Sequence, residues 1–446
     1  MKQTHLHVIV GLGATGVSCA RYLAKKNIPF AVTDSRANPS NLDKFKTEFP
    51  SVTLSLGKLD ELLLEQAAII ILSPGVSLKE PAIAHQISQG KQVIGDIELF
   101  ARNVAAPVIA ITGTNAKSTV TTLVGEMARS AGIKAGVGGN LGLPALDLLC
   151  DKTYELFVLE LSSFQLETTY SLAPRVATVL NITPDHMDRY DTLQDYVDAK
   201  QRVYLNCETA VCNRDDRFTD CTDNKLKQKL YFTLSTPKQH EFGLMREQGE
   251  PYLAFENQLL MPVSELPILG RHYQANVLAS LAMGYAYGFP MEAMLKTLRE
   301  FKGLPHRCQL VRKRKDVLWY NDSKGTNVGA TLAAIEGLGP ELKGKLILIA
   351  GGVGKNADFS PLVPALQKYV RDVVLIGESA SLLSDTFNQS VKTHFANTMD
   401  EAIHVSDQLA KAGDSVLLSP ACASFDMFKN FEHRGDVFTA IVQGLA

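Results

Sequence analysis

Short apolar runs spaced by helical stretches recur along this chain, and they constrain its fold more than any other feature. In the first part the runs cover residues 8–10, 30–33, 68–72 and 92–94, and a helix is predicted from about Val17 to Lys26. Strands and helices that alternate in this way form βαβ units around a parallel sheet. The first part of the chain is therefore predicted to be an α/β domain.

Two further series follow. The run 108–112 opens the second, and its runs 156–159 and 176–180 are continuously apolar, as strands buried on both faces are. A helix at 276–287 ends this series. The third has runs at 317–320, 346–349, 373–376 and 416–418. We predict three domains, at 1–95, 96–301 and 302–446, and 446 residues at roughly 150 per domain predict the same number.

The charge balance excludes several kinds of partner. Lys and Arg total 45 against 47 Asp and Glu, so a net charge of -2 provides no field to hold nucleic acid or an anionic membrane surface. No apolar stretch approaches the ~18 residues of a membrane helix. Seven scattered cysteines without a Cys-x-x-Cys pair indicate neither disulfides nor a thiolate zinc site. We expect a cytoplasmic protein without membrane insertion that binds phosphate groups by local geometry.

The first strand leads into the cluster Gly11-Leu12-Gly13-Ala14-Thr15-Gly16, and Asp34 ends the second strand. This spacing matches the dinucleotide-binding fingerprint, in which glycines let the backbone approach a phosphate that helix N-terminal amides stabilise. By itself the motif fits a nicotinamide or flavin enzyme. It also fits a tight turn that binds nothing.

A second strand-to-helix loop has the sequence Gly113-Thr114-Asn115-Ala116-Lys117-Ser118-Thr119. Lys117 can reach the β and γ phosphates of a nucleotide, while Ser118 or Thr119 can offer a hydroxyl to Mg²⁺. The match is imperfect, because Ala116 replaces the glycine before the lysine and Ile111 stands where the first glycine belongs. The alternative is a helix start capped by Ser or Thr. A nicotinamide dehydrogenase has no need of this second loop.

Two polar residues follow the buried strands of the second series. Glu160 ends the run 156–159, where a carboxylate beside a phosphate loop can hold Mg²⁺. His186 follows the next strand. The alternatives are a solvated strand end for Glu160 and a structural histidine for His186. Three strand ends that deliver Lys117, Glu160 and His186 are nevertheless predicted to converge on one crevice.

Lys200 lies on the apolar face of the next predicted helix. The other members of this stripe are Leu193, Tyr196, Val197, Val203 and Tyr204. Such a lysine usually extends its ammonium group to water. A partly buried lysine near Mg²⁺ can instead have a depressed pKa and react with carbon dioxide, which gives a metal-binding carbamate.

These motifs together resemble those of the Mur ligases of peptidoglycan synthesis, over essentially the whole chain. Beyond the two loops, the resemblance is carried by Ser73-Pro74-Gly75, Gly139-Asn140, residues 162–167, 185–190, Ala199-Lys200, 304–307, 321–327 and 419–425. The last two blocks resemble the D-glutamate-adding members rather than the family at large.

The resemblance implies an N-terminal Rossmann-type UDP-binding domain, a central P-loop ATPase-type parallel-sheet domain and a C-terminal Rossmann-like amino-acid-binding domain. It implies an ATP-dependent ligase that adds D-glutamate to UDP-N-acetylmuramoyl-L-alanine through an acyl phosphate and a tetrahedral intermediate. The dinucleotide fingerprint then binds a nucleotide-sugar rather than NAD. The expected assembly is a monomer.

The same resemblance implies the following roles. The nucleotide-sugar contacts Ala14, Thr15, Asp34, Ser35 and Ser73, with Asn140 and His186 at the muramoyl part. ATP contacts Gly113, Thr114, Asn115, Ala116, Lys117, Ser118, Thr119, Asn276, Arg307 and Asp322. D-glutamate contacts Lys324, Thr326, Lys355, Ser424, Phe425 and Phe431. One Mg²⁺ is held by Ser118 and Glu160 and a second by His186 and carbamylated Lys200, with Mn²⁺ as a possible substitute. Lys117, His186 and Lys200 are the expected catalytic residues.

The sequence also departs from the family pattern. Val353 stands where the family usually carries Asp, Gln309 replaces a usual Glu, and Ala116 replaces the loop glycine. None of these changes removes a proposed catalytic group.

Three alternatives stay open: another Mur-type amide ligase, a nicotinamide-dependent oxidoreductase, and a P-loop nucleotide switch. The oxidoreductase leaves the second loop, Lys200 and the third domain unexplained. A switch has no need of residues 322–327 or 424–431.

Overall fold

The computed structural model describes residues 6–222, 226–268, 270–387 and 389–445. Within these ranges the chain forms three β-sheets, each flanked by helices. In the same ranges, no helix is both long enough and apolar enough to cross a membrane. The α/β character predicted for all three parts of the chain is therefore confirmed.

The first sheet is parallel and has the strand order β3-β2-β1-β4-β5. Its elements are β1 His7–Val10, α1 Ala14–Lys25, β2 Phe30–Asp34, α2 Leu42–Glu48, β3 Leu54–Leu56, α3 Glu61–Gln66, β4 Ile69–Leu72, α4 Pro81–Ser88, β5 Gln92–Ile94 and α5 Asp96–Ala101. The strand order reverses between β1 and β4, which places a crevice at their carboxyl ends. The helix predicted to begin near residue 17 begins at Ala14, directly after the glycine cluster.

The central sheet has the order β14-β13-β12-β11-β10-β9-β6-β8-β7. Its elements are β6 Val108–Thr112, α6 Lys117–Ser130, β7 Ala135–Gly139, α7 Ala145–Leu148, β8 Leu156–Glu160, α8 Ser163–Glu167, β9 Val176–Val179, α9 Leu193–Gln201, β10 Thr209–Asn213, β11 Gln228–Phe232, β12 Glu241–Glu247, β13 Glu250–Phe255, β14 Gln258–Pro262, α10 Arg271–Tyr287 and α11 Met291–Glu300. The strands β6, β8 and β9 are buried throughout, as their continuous apolar runs predict.

The parallel arrangement predicted for the central sheet holds except at one edge. Strands β13 and β14 are antiparallel to their neighbours and form hairpins. The first hairpin turns at Gln248 and Gly249, whose φ angles of 51° and 90° suit a two-residue turn between twisted strands. These strands bury only part of their residues, so they lack the continuous apolar runs that marked the parallel strands.

The third sheet has the order β15-β16-β20-β17-β18-β19 and is parallel except for β15. Its elements are β15 Gln309–Arg314, β16 Val317–Asn321, α12 Val328–Leu338, β17 Leu346–Gly351, α13 Val363–Tyr369, β18 Val370–Ile376, α14 Ala380–Phe387, β19 Lys392–Phe395, α15 Met399–Leu409, β20 Ser415–Leu418 and α16 Phe431–Gly444. Each of its two faces carries a separate apolar core.

Candidate active site

A cavity of about 350 Å³ opens where the central and third domains meet, beside the loop after β4. Its lining includes residues from the loops that follow β4, β6, β8, β9 and β16. The predicted residues that line it are Thr114, Asn115, Ala116, Lys117, Ser118, Asn140, Glu160, His186, Lys200, Arg307, Lys324 and Thr326. Parallel strands bring their carboxyl ends to one edge of a sheet, which explains why residues so distant in sequence converge here.

Hydrogen bonds to Asn181 fix the loop between β6 and α6. The Thr114 amide donates to the Asn181 carbonyl at 2.9 Å, and the Asn115 amide donates to Asn181 Oδ1 at 2.8 Å. Ala116 precedes α6 in a left-handed conformation with φ 68°, and no side chain caps the helix. The alternative of a Ser/Thr-capped helix start is therefore wrong. Uncapped amides at a helix N-terminus are suited to bind a phosphate group.

Lys117 folds back over this loop and lines the cavity. Its Nζ donates to the carbonyl oxygens of Gly113 and Thr114 at 2.9 and 2.8 Å. Burial lowers the pKa of Lys117, while the negative charge of Glu160 opposes that shift. The amine therefore contacts two loop carbonyl oxygens and feels the charge of the Glu160 carboxylate.

Glu160 is 3% exposed, so it is not a solvated strand end. Its Oε1 accepts a hydrogen bond from Asn140 Nδ2 at 2.7 Å, whereas its Oε2 is buried without a partner. Buried polar atoms in native proteins almost always have a partner. A carboxylate oxygen that lines a cavity and lacks one is a suitable ligand for a hard cation such as Mg²⁺.

Lys200 is 2% exposed and does not extend to water. Its Nζ donates to the Gly113 carbonyl oxygen at 2.9 Å and lies 4.7 Å from the centre of the Tyr196 ring. Burial, reinforced by the nearby charge of Lys117, holds the pKa of Lys200 well below its ordinary value. Because a neutral amine is the nucleophile toward carbon dioxide, this environment favours carbamate formation.

His186 lies at the mouth of the same cavity. Its ring packs edge-on against Phe164 with centroids 4.9 Å apart, and its Nε2 is 3.8 Å from Asp185 Oδ2. Burial lowers the pKa of His186, Asp185 opposes this shift, and Lys355 adds to it. The neutral imidazole that results is the form able to bind a metal.

The arrangement also limits how a metal could be bound. Among the described residues, no group of three or more His, Cys, Asp or Glu side chains is close enough to enclose an ion. A cation at Glu160 or His186 therefore needs other oxygen ligands. The Ser118 hydroxyl lines the same cavity and is one such group.

A second cavity, of about 320 Å³, adjoins the first. It is lined by the predicted nucleotide residues Asn115, Ala116, Thr119, Asn276, Arg307 and Asp322. Arg307 Nη2 donates to Ser118 Oγ at 2.7 Å, and Asp322 accepts from Ser419 Oγ at 2.7 Å. Burial raises the pKa of Asp322 to about 6.

The predicted amino-acid residues of the third domain divide into two groups. Lys324 and Thr326 line the first cavity, and Lys324 Nζ lies 3.7 Å from the centre of the Phe431 ring. Burial, with a further contribution from Arg307, lowers the pKa of Lys324 to about 8. Ser424 is buried, whereas Phe425 is 73% exposed. These two residues, together with Lys355 and Phe431, lie outside the cavity lining.

Two departures from the family pattern have local explanations. Val353 pairs with Ala423 through two backbone hydrogen bonds of 3.0 and 2.9 Å. Its side chain is therefore not what holds the loop before Lys355. Gln309 Oε1 accepts a hydrogen bond from the His306 amide at 3.1 Å, and an amide oxygen serves this contact as a carboxylate does.

The predicted nucleotide-sugar residues of the first domain lie at the carboxyl edge of its sheet. Ala14 and Thr15 form the first turn of α1, which no side chain caps. Ser73 Oγ donates to the Gly11 carbonyl oxygen at 3.0 Å, while Ser35 is exposed. Neither cavity described above includes these residues.

Asp34 is already saturated with hydrogen bonds. It accepts from the Leu12 amide at 2.7 Å and receives three more from the Arg36 amide and guanidinium. A carboxylate offers about four acceptor sites, so Asp34 has little capacity left for a ribose hydroxyl of NAD. Arg36, whose side chain is 55% exposed, presents the free donors at this edge.

Several residues of the site were missed by sequence reasoning. Asp185 and Asn327 occur within the motif blocks but received no role, and Asn181 and Arg36 were not singled out. Asn181, Asp185 and Asn327 act through long-range contacts that no local pattern encodes, whereas Arg36 acts through Asp34, two residues before it. The best available signal was position, because Asn181 and Asp185 follow a buried strand and Asn327 precedes a helix.

The chain matches three family models in sequence order. They are described as Mur ligase MurD-like, N-terminal domain, over residues 5–95, Mur ligase middle domain, over 111–284, and Mur ligase, glutamate ligase domain, over 306–422. A Coxiella burnetii protein named UDP-N-acetylmuramoylalanine--D-glutamate ligase is 54% identical over 100% of both chains. A Pseudomonas aeruginosa protein of the same name is 51% identical over 99% of this chain and 98% of its own.

Solved structures show the same fold at low sequence identity. The UDP-N-acetylmuramate-alanine ligase MurC of Thermotoga maritima superimposes with a TM-score of 0.60 at 16% identity, over 98% of this chain and 99% of its own. MurF from Acinetobacter baumannii superimposes with a TM-score of 0.62 at 16% identity, over 98% of this chain and 90% of its own. The fold and ligase predictions are confirmed, and the chain belongs to the Mur ligase family.

Proposed function

We propose that this chain is an ATP-dependent ligase that adds D-glutamate to UDP-N-acetylmuramoyl-L-alanine during peptidoglycan precursor synthesis and releases ADP and phosphate. The names of its full-length relatives support this substrate pair. The observation that carries the proposal is the shared lining of the two cavities, because Asn115, Ala116, Arg307 and Lys324 line both. A nucleotide in one cavity can therefore present its terminal phosphate to an acceptor in the other.

The chemistry proceeds in two steps. A carboxylate is a poor electrophile, so an oxygen of the L-alanine carboxylate first attacks the γ-phosphorus, and the bond from phosphorus to the ADP oxygen breaks. Lys117 and the amides at the start of α6 stabilise the charge that spreads over the transferred group. The neutral D-glutamate amine then attacks the acyl carbon and passes through a tetrahedral intermediate. Phosphate leaves with the former carboxylate oxygen, and the amine loses a proton.

The residues in the crevice fit the binding of Mg²⁺, with Mn²⁺ as a possible substitute. Ser118 and Glu160 would hold one ion, and His186 with carbamylated Lys200 would hold a second. When bound, the ions supply Lewis-acid polarisation of phosphate oxygens. The unpartnered Oε2 of Glu160 and the buried amine of Lys200, whose pKa burial holds well below its ordinary value, support this assignment.

The other substrates are assigned by position. The uncapped start of α1 at Ala14 and Thr15, with Ser35, Ser73 and Arg36 nearby, is proposed to bind the UDP group, and Asp34 is proposed to orient Arg36. Asn140 is proposed to contact the muramoyl part. The amino-acid site is assigned to Lys324, Thr326, Lys355, Ser424, Phe425 and Phe431. His186 serves the reacting end of the nucleotide-sugar.

We further propose that the enzyme works in the cytoplasm as a monomer. None of its seven cysteines, all of which lie in the described part of the chain, forms a disulfide, which suits a reducing compartment, and its cosubstrate is ATP. Residues of one chain line both cavities, which supports a monomer.

Omission of single substrates tests the proposed reaction. The protein is incubated with ATP, Mg²⁺, UDP-N-acetylmuramoyl-L-alanine and D-glutamate, and phosphate release is measured against mixtures that lack one component. We expect turnover only in the complete mixture. Turnover that persists without D-glutamate would refute the proposal, a preference for another amino acid would indicate another Mur-type ligase, and oxidation of NADH would favour the oxidoreductase.

The carbamate is tested by chemical rescue. We expect Lys200→Ala to abolish activity, because the crevice loses a metal-binding oxygen group, and added short-chain carboxylates to restore part of it by occupying the space of the lost side chain. Circular dichroism and thermal unfolding check that the variant is folded. A folded variant that carboxylates do not rescue would argue against a carbamate at this position.

A further inference from the structure

Asn327 connects the third domain to two loops of the central domain. Its Oδ1 accepts a hydrogen bond from the Ala330 amide at 2.8 Å and so caps α12. Its Nδ2 donates to Asp185 Oδ2 at 3.1 Å and to Asn115 Oδ1 at 3.3 Å. A single side chain therefore begins a helix of the third domain and contacts the loops after β6 and β9.

Both contacted loops belong to the reaction crevice. Asn115 lies in the phosphate loop, where its amide and carbonyl groups are fixed by the Asn181 side chain at 2.8 and 3.2 Å. Asp185 precedes His186, and its negative charge opposes the lowered pKa values of Lys117 and Lys200. A shift of either loop therefore moves groups that act on the transferred phosphate.

The segment that ends at Asn327 is also the amino-acid segment of the third domain. Lys324 and Thr326 line the crevice, and the Gly325 carbonyl oxygen accepts from the Ala421 amide at 2.9 Å. Residues 324–327 are thus tied to the loop after β20, which leads to Ser424. Asn327 is only three residues from Lys324 within this segment.

The contact between α12 and the loop after β9 is close. A Cβ atom added at Gly329 would lie 2.8 Å from Thr183 Oγ1 and 3.3 Å from its Cβ. The two domains therefore meet at a spacing that only glycine allows here. This spacing places Nδ2 of the Asn327 side chain within hydrogen-bonding distance of Asp185 and Asn115.

We propose that Asn327 is a positioning residue that couples the seating of the amino-acid segment to the phosphate loop and to Asp185. The inference rests on the proposed function, which supplies the amino acid as substrate. We call the hydrogen bonds from Asn327 to Asn115 and Asp185 the bridge. With the bridge in place, the third domain closes on the central domain and the phosphate loop keeps its position. Without it, the crevice opens and phosphoryl transfer slows, although each substrate still binds to its own domain.

Substitutions that keep the helix cap separate the bridge from a purely structural role. Ser and Asp cap helices about as well as Asn, but neither supplies the amide donor. We expect Asn327→Ser to lower kcat by about 10-fold, because the hydrogen bond to the Asp185 carboxylate is lost and a bond to a charged group contributes about this much. Asn327→Asp should lower it by about 100-fold, because two carboxylates then face each other. The KM for UDP-N-acetylmuramoyl-L-alanine should stay within about 3-fold of wild type. A roughly 3-fold change in KM corresponds to less binding free energy than one hydrogen bond contributes.

Thr398→Ala is the matched control, because Thr398 caps α15 of the same domain through the Glu401 amide at 3.1 Å, and its bonds lie within that helix start. This variant should melt at a lower temperature and keep its kcat. If Asn327→Ser and Asn327→Asp both turn over at the wild-type rate, Asn327 is only a helix cap and the inference is wrong.

An exchange of the two side chains gives a second test. In Asp185→Asn/Asn327→Asp the amide and the carboxylate change places, which preserves one hydrogen bond and the net charge. We expect this double variant to be at least about 10-fold more active than the value calculated by multiplying the effects of the single variants. Effects that simply multiply would show that the two side chains do not act together.

X-ray scattering in solution tests the coupling without turnover. With Mg²⁺ and a non-hydrolysable ATP analogue, Asn327→Asp should have a larger radius of gyration than wild type. If wild type makes no D-glutamate product but this difference is present, the proposed function fails and the bridge stands. Equal radii for wild type and Asn327→Asp would overturn the inference whatever the substrate is.

Discussion

Ala116 occupies a backbone conformation that residues with a Cβ atom rarely adopt. Its φ of 68° and ψ of -8° place it in the left-handed region directly before α6, which costs a non-glycine residue about 1 kcal/mol. The turn directs the first amides of α6 toward the cavity. Strain of this kind is found at ligand-binding loops, where the surrounding structure holds it in place.

Ala116→Gly should therefore raise the free energy of unfolding by about 0.5–1 kcal/mol, because glycine adopts this conformation without a steric penalty. Denaturant unfolding measures the change. Ala131→Gly is the matched control, since Ala131 ends the same helix with a φ of -80° and should gain nothing. Destabilisation by Ala116→Gly would show that the loop is not strained at this residue.

The lowered pKa of Lys324 predicts a pH dependence of amino-acid binding. With a pKa of about 8, the amine is charged below pH 8 and becomes neutral above it, so its attraction for a carboxylate is lost as the pH rises. We expect the KM for D-glutamate to rise above pH 8. Lys324→Arg stays charged and should flatten this dependence. An identical pH profile for the two proteins would remove Lys324 from the amino-acid site.

At the scale of single residues, the sequence predicted which groups meet and missed what holds them. Lys117, Glu160, His186 and Lys200 follow or face the ends of parallel strands, so strand order alone brings them together. The contacts of Asn327 with Asn115 and Asp185, and the hydrogen bond from the Leu12 amide to Asp34, depend on tertiary distances that no local pattern encodes.

Helix α5 carries two buried carboxylates whose pKa values are shifted in opposite directions. Asp96 is 2% exposed, has one oxygen without a partner, and has a pKa that burial raises to about 6. Burial also acts to raise the pKa of Glu98, but hydrogen bonds from the Ser171 and Tyr170 amides outweigh it and lower the pKa. One carboxylate therefore costs stability at neutral pH, while the other contributes to it.

Asp96→Asn should stabilise the protein by about 2 kcal/mol at pH 8. A carboxyl whose pKa is raised by folding costs stability above that pKa, and the cost disappears as the pH falls below about 4, the unfolded value. The gain should therefore shrink between pH 6 and pH 4 in denaturant unfolding. Glu98→Gln, on the same helix, should destabilise instead. A gain from Asp96→Asn that does not vary with pH would contradict the account of Asp96.

At the scale of elements, the strands that form the site were the easiest to predict. Strands β6, β8 and β9 are buried on both faces and are therefore continuously apolar. The hairpin strands β12, β13 and β14 lie toward the edge of the central sheet, where partial exposure replaces that signal with a mixed pattern. Strand pairing at an edge is set by turn geometry, which the sequence indicated only weakly.

At the scale of the molecule, direct contacts hold the domains around the crevice. Arg189 donates from the central domain to the carbonyl oxygens of Pro74 and Val76 in the first domain at 2.7 and 3.3 Å. Arg307 and Asn327 connect the third domain to the central one. The near-neutral net charge of the chain suits two phosphorylated ligands, because loop amides and a few placed cations neutralise them locally. The arrangement of the domains around the crevice was not predictable from the sequence, since it depends on single long-range hydrogen bonds.

The central claim is that the acceptor carboxylate is phosphorylated before the amide bond forms, and isotope transfer tests it most directly. UDP-N-acetylmuramoyl-L-alanine labelled with ¹⁸O in its terminal carboxylate is converted with ATP, Mg²⁺ and D-glutamate, and the released phosphate is analysed by mass spectrometry. We expect phosphate that carries one ¹⁸O atom from the carboxylate. Phosphate without the label, formed at the same rate as the amide product, would contradict it.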